Sequence, residues 1–153
     1  MKRVLMLASV ASMIDQFNMP NIALLQKLGY EVDVACNFIE GNTCSEARVA
    51  ELKQKLQDMH VRCYQIDFAR NIKHMGQNMR ALRQVEGLMK QNGYAFCHCH
   101  SPIGGVVARI AGHRTRTKVI YTAHGFHFYQ GAPVMNWLVY YPVEKMLSRW
   151  TDV

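Results

Sequence analysis

The sequence predicts an α/β domain built on a doubly wound parallel sheet, and three observations carry that prediction. Short runs rich in apolar and β-branched residues recur at 3–9, 31–36, 61–66, 95–100 and 119–122. Between them lie stretches whose apolar residues fall at helical spacing. The first run is continuously apolar, the mark of a central parallel strand covered on both faces. At 153 residues the chain is one domain's worth, long enough to bury a core, and half its residues are apolar, which argues against disorder.

Each element has its own signal. After strand one, residues 10–18 read as a turn that holds no glycine, so neither a G-x-G-x-x-G fingerprint nor a Walker loop is present. This counts against NAD-dependent and P-loop classes. Residues 19–28 read as a helix with Asn18 as N-cap, Pro20 in its first turn and Gly29 as its stop. The alternating run 31–36 completes a βαβ unit. A polar loop covers 37–43, Ser45 caps a helix from Glu46 to about Met59, and 61–66 is strand three, followed by a loop at 67–71 on the carboxyl side.

The helix at 75–91 places Met79, Leu82, Val85, Leu88 and Met89 on one face and ends at Gly93. After strand four, Ser101 and Pro102 suit the N-cap and first position of a helix ending near Gly112, and Gly104-Gly105 allows close packing on the sheet. A basic loop at 113–118 leads into strand five. Pro133 opens a last helix to about Arg149, and 150–153 looks like the approach to a sixth strand. Right-handed crossovers give the strand order 3-2-1-4-5.

Totals narrow the function classes. No apolar run reaches the roughly 18 to 20 residues that span a bilayer, and the N-terminal run is too short for a signal-peptide core, so a cytoplasmic protein is expected. Cys36, Cys44, Cys63, Cys97 and Cys99 are odd in number and mostly lie in predicted strands, which favours reduced thiols over a disulfide framework. Residues 1–61 hold six Lys/Arg and seven Asp/Glu, whereas 62–153 hold twelve against four. So uneven a field points to an anionic partner. Nucleic acid ranks low, because the basic residues are scattered and no recognition motif is present.

Three constellations carry candidate chemistry. In 97–100 cysteines and histidines alternate, so a strand sends Cys97 and Cys99 to one face and His98 and His100 to the other. No C-x-x-C or H-E-x-x-H occurs, and zinc is not expected. His98 reads as a packed core residue. His100 stands at a strand end beside a helix N-terminus, where free N–H groups favour an anion. His124 lies just past strand five, Gly125 permits a ligand's close approach, and in open parallel sheets ligands bind beyond the carboxyl ends of the strands. The last helix is apolar and aromatic almost all round, with Pro142 inside it; deep packing is the expectation, a membrane or partner surface the alternative.

Tyr121-Thr-Ala-His124-Gly-Phe-His-Phe-Tyr129, with His98-Cys-His-Ser-Pro-Ile-Gly-Gly105 upstream and Trp137-Leu-Val-Tyr-Tyr-Pro-Val-Glu-Lys-Met-Leu-Ser-Arg149 downstream, resembles bacterial family 4 glycosyltransferases of exopolysaccharide and capsule synthesis. The resemblance covers the whole chain. It implies that residues 1–153 are the Rossmann-like, acceptor-side N-terminal half of a GT-B enzyme whose donor-binding half, with its basic pair and Glu-x7-Glu motif, lies outside them. The family is retaining, takes nucleotide-sugar donors, needs no metal or other cofactor and often uses polyprenyl-diphosphate-linked saccharide acceptors. His124 then matches the catalytic cleft histidine. His100, Ser101 and Arg70 are expected at acceptor hydroxyls or diphosphate, with Gly125, His127 and Asn18 completing the substrate-binding set.

The sequence departs from the family pattern at 9–18, where many members carry a glycine pair near the donor phosphates. By the same resemblance the isolated half does not catalyse. The basic second half of the chain and its aromatic last helix are expected to hold it to the anionic inner face of the membrane. The rival reading is a non-catalytic flavodoxin-like module that recognises a phosphorylated ligand or a partner protein.

Overall fold

A computed structural model describes residues 1–71, 73–100 and 102–153. Five strands, β1 (Arg3–Val10), β2 (Glu31–Asn37), β3 (Arg62–Gln65), β4 (Phe96–His100) and β5 (Lys118–Thr122), form one parallel sheet in the order β3-β2-β1-β4-β5. The expected topology is the observed one. Helices cover both faces: α1 (Ala11–Met13), α2 (Met19–Lys27), α3 (Glu46–Asp58), α4 (Met75–Asn92), α5 (Pro102–Thr115) and α6 (Val134–Leu147). Side chains alternate across β1, so Leu5 and Leu7 enter one core with Val85, Met89 and Ala108, while Val4, Met6 and Ala8 enter the other with Ile22, Leu52 and Leu56.

Several local expectations hold. The Ser45 hydroxyl accepts the Arg48 N–H at 3.2 Å and starts α3. Gly93 closes α4 in the left-handed conformation, φ +58°. A Cβ on Gly105 would stand 2.5 Å from the Tyr121 ring, so that glycine is what lets α5 lie close on β5. The last residues run along the outer edge of β5: the Tyr121 N–H donates to the Val153 carbonyl at 2.9 Å and the Asp152 N–H to the Val119 carbonyl at 2.8 Å.

Four readings are corrected. The stretch 10–18 is not a turn: β1 runs directly into α1, and residues 14–18 form a π-helical segment (Ile14–Asn18) that continues into α2. Asn18 caps nothing; its Nδ2 donates to the Met13 carbonyl at 3.1 Å from a fully buried position. The helix expected to end near Gly112 continues to Thr115. And α6 is not packed: among its residues only Leu147 is buried, whereas Val134, Met135 and Leu138 are 65–72% exposed. Among the described residues no helix is long and apolar enough to cross a membrane.

An ion pair ties α6 to α5. Arg109, on the buried side of α5, donates from Nη1 and Nη2 to the two Glu144 carboxylate oxygens at 2.8 and 3.0 Å and from Nε to the Gly105 carbonyl at 2.9 Å. Its guanidinium also lies 4.2 Å from the Tyr121 ring centroid. A buried arginine is tolerable because every face of the fork has a partner.

Candidate active site

The site gathers where β4 and β5 end. Their register sets His98 opposite Ile120 and His100 opposite Thr122, and the strand's alternation sends Cys97 and Cys99 into the α4–α5 core while the two histidines share the other face. His98 Nε2 lies 2.8 Å from Thr122 Oγ1, and its ring centroid is 4.2 Å from that of His100. His100 Nδ1 lies 3.0 Å from His124 Nε2. Three histidines from two strand ends thus form one chain of contacts, and its outermost member, His124, is exposed.

Burial in this chain is the reverse of what the sequence suggested. His98, expected in the core, is partly exposed, whereas His100, expected to meet an anion, is 1% exposed. Burial, with smaller contributions from His98 and His124, pushes the His100 imidazole down to about 3, so it is neutral at physiological pH. The same effect lowers His98, burial again being the larger cause and His124 the smaller. Gly125 holds φ +147°, a conformation that side chains rarely adopt, and nothing lies within 4 Å of where its Cβ would stand. The backbone beside His124 is therefore open to a ligand.

Phe17 places its ring 5.0 Å from that of His124. The π-helical segment makes this contact: an extra residue in its turns re-aims the side chains that follow β1, and such segments recur at functional sites. Asn18 bridges that segment from within, donating to Met13 and accepting from Asn21 Nδ2 at 3.2 Å, so the structure gives it a structural place and no exposed surface for a substrate. Phe17 was missed because a stretch without glycine or periodic pattern read as a turn.

Arg70 and His127 come together elsewhere on the same rim. They line a cavity of about 170 Å³ with Tyr140 and Glu144 of α6, and the His127 ring lies 4.4 Å from that of Tyr140. Among the described residues no carboxylate lies within ion-pair distance of Arg70. Asn136 Nδ2 and Trp137 Nε1 donate to the carbonyls of His127 and Tyr129, fastening the loop after β5 onto α6. Ser101 lies outside the described residues. Among the described residues no group of three His, Cys, Asp or Glu has metal-holding geometry.

A parallel sheet of this order, with polar side chains gathered beyond the carboxyl ends of its strands, defines a Rossmann-like ligand-handling domain. Residues 19–153 match the family described as "Glycosyl transferase 4-like domain", and the chain belongs to that family. It is 38% identical, over 154 residues, to a Bacillus subtilis (strain 168) protein named "Putative glycosyltransferase EpsD", covering 99% of this chain and 36% of that one. The chain thus spans about a third of that relative's length.

Among solved structures it resembles MurG of Acinetobacter baumannii, with TM-score 0.65, 18% identity, and coverage of 100% of this chain and 40% of that one. It also resembles Alr3699/HepE of Anabaena in complex with UDP and glucose, with TM-score 0.61, 15% identity, and coverage of 95% and 36%. At these identities the likeness is one of fold, that of the GT-B glycosyltransferases.

Proposed function

We propose that residues 1–153 are the N-terminal, acceptor-side domain of a retaining glycosyltransferase. It moves a sugar from a nucleotide-sugar donor to a lipid-linked saccharide acceptor in surface polysaccharide synthesis, with most donor contacts supplied by a second domain of similar size. The observation that carries this reading is the placement of His124: exposed beyond β5, beside the open Gly125 backbone and bonded to a buried neutral histidine, in a chain of the glycosyl transferase 4-like family. The relative three times as long and the UDP- and glucose-bound structure of the same fold support the two-domain form and the donor class.

In this reading His124 donates a hydrogen bond to a hydroxyl of the transferring sugar. Such a bond accelerates the reaction to the extent that it strengthens as charge develops at the reacting carbon and the leaving diphosphate. Arg70, with no carboxylate partner among the described residues, and His127 face acceptor hydroxyls or diphosphate from the cavity they share. The exposed apolar surface of α6, with Lys145 and Arg149 exposed at its end, rests on an anionic bilayer.

The test is transfer by the full-length protein. Labelled UDP-sugars are offered with polyprenyl-diphosphate saccharides, and the anomeric configuration of the product is read by NMR. Retention with a lipid-linked product supports the reading; no transfer from any nucleotide-sugar, or inversion, contradicts it.

A further inference from the structure

We propose that His100 is a positioning residue for His124: its Nδ1–H donates to His124 Nε2, so that His124 presents Nδ1, carrying its hydrogen, to the ligand. The inference rests on the reading of His124 as the cleft histidine and specifies which of its nitrogens acts. It also moves His100 out of the ligand-contacting set, because a side chain that is 1% exposed and already engaged has no surface left for a substrate.

The argument is one of hydrogen accounting. Two imidazole nitrogens 3.0 Å apart share a single hydrogen, which belongs to His100 or to His124. The other ring nitrogen of His100, Nε2, is buried and has no partner among the described residues. If His124 were the donor, a neutral His100 would have to carry its own hydrogen on Nε2, as an N–H sealed from water and from any acceptor. Buried orphan N–H groups are the rarer and costlier defect; an under-satisfied acceptor is better tolerated. With His100 as donor, Nε2 is a bare acceptor nitrogen and the stranded N–H does not arise.

His98 supports the arrangement from the same strand. Its ring packs on His100 and is itself fixed by Thr122 Oγ1, so the His100 ring is held with Nδ1 toward His124. The titratable groups whose charge bears on His100 are His98 and His124. Burial keeps His100 neutral far below physiological pH, so the donor does not change its protonation as the site works. Phe17 sets its ring beside that of His124, tilted by 41° with centroids 5.0 Å apart.

The test reads the tautomer directly. In full-length protein with 15N-labelled histidine at pH 8, His124 is expected to show hydrogen on Nδ1 and a bare, hydrogen-bonded Nε2. His100→Phe keeps a ring but no donor, and His124 should then shift toward the Nε2–H form. His100→Asn sets an amide N–H near the position of the lost Nδ1–H and should restore the wild-type signature. In turnover, His100→Phe is expected to lower kcat about tenfold with KM nearly unchanged, the effect of one hydrogen bond, and His100→Asn to recover most of it.

Hydrogen on Nε2 of His124 in the wild type, or a His124 signature indifferent to His100→Phe, overturns the proposal. Because the spectrum does not depend on turnover, a failure of the glycosyl-transfer reading would show separately, as full activity in a His124→Ala enzyme. If His100→Phe does not fold, the wild-type spectrum and His100→Asn still decide.

Discussion

α5 and α6 are each 14 residues long, both lie near β5, and they have opposite fates. α5 buries seven residues, including Gly104, Gly105 and Gly112; α6, richer in aromatic and large aliphatic side chains, buries only Leu147. The difference teaches that apolarity does not decide burial here, but fit does. α5 offers small residues to the sheet, so its backbone comes within a methyl group of Tyr121 and Val119. α6 has no such flat side and touches the domain through the Arg109–Glu144 pair, Leu147 and the loop after β5, leaving most of its apolar surface exposed.

That comparison can be broken at its ionic joint. Arg109→Met leaves the Glu144 carboxylate without its partner, and removing one member of a buried pair costs about 3–5 kcal/mol. Thermal unfolding should show a loss of that size, and limited proteolysis should cut within α6 before the rest of the chain. A loss under about 1 kcal/mol would mean that α6 is held by packing after all.

Next in size is an acid effect at the β4 end. The His100 pKa in the fold, about 3, lies below its unfolded value of 6.5. The unfolded state therefore binds more protons between these limits, and stability rises with pH through that window. It is complete above about pH 6.5 and is lost progressively as pH falls toward 3, by on the order of 2–4 kcal/mol. His98, shifted the same way, adds to the slope. Denaturant unfolding at a series of pH values should show this fall, and His100→Asn should flatten it; an equally steep curve in the variant would place the acid sensitivity elsewhere.

Smaller still is Gly105→Ala, whose new methyl would meet the Tyr121 ring; overpacking of this kind costs about 1–3 kcal/mol. A neutral result would show that α5 can lift from β5 without penalty. The smallest effect on stability belongs to α6: Leu138→Ser, at a residue 65% exposed, should change it by less than about 0.5 kcal/mol. Its consequence should appear instead in sedimentation with anionic vesicles, where binding weakens. Vesicle binding that ignores both this substitution and added salt would remove the membrane from the account.

The layer order was legible in the sequence because strands and helices here differ plainly in period, and because Gly93 and Ser45 act where their chemistry places them. The position of His124 was legible from strand-end logic alone. What sequence could not show were features decided by packing across the fold. The π-helical segment is spanned by an Asn18 side-chain bond to the carbonyl five residues back, a pattern with no compositional signature. The exchange of burial between His98 and His100 depends on what β5 and its following loop set beside them. Exposure of α6 depends on what the rest of the fold sets against it, chiefly Arg109 of α5 and the loop after β5, which no helical wheel of α6 displays.

The central claim is the proposal that His124 takes part in glycosyl transfer, and the most direct measurement is steady-state kinetics of His124→Ala in the full-length protein, with folding checked by circular dichroism. His124 is exposed, so the fold should survive. The account predicts a fall in kcat of about a hundredfold, roughly 2.7 kcal/mol, with a smaller change in KM, as for the loss of one preorganised donor. A folded variant with wild-type kcat would contradict it.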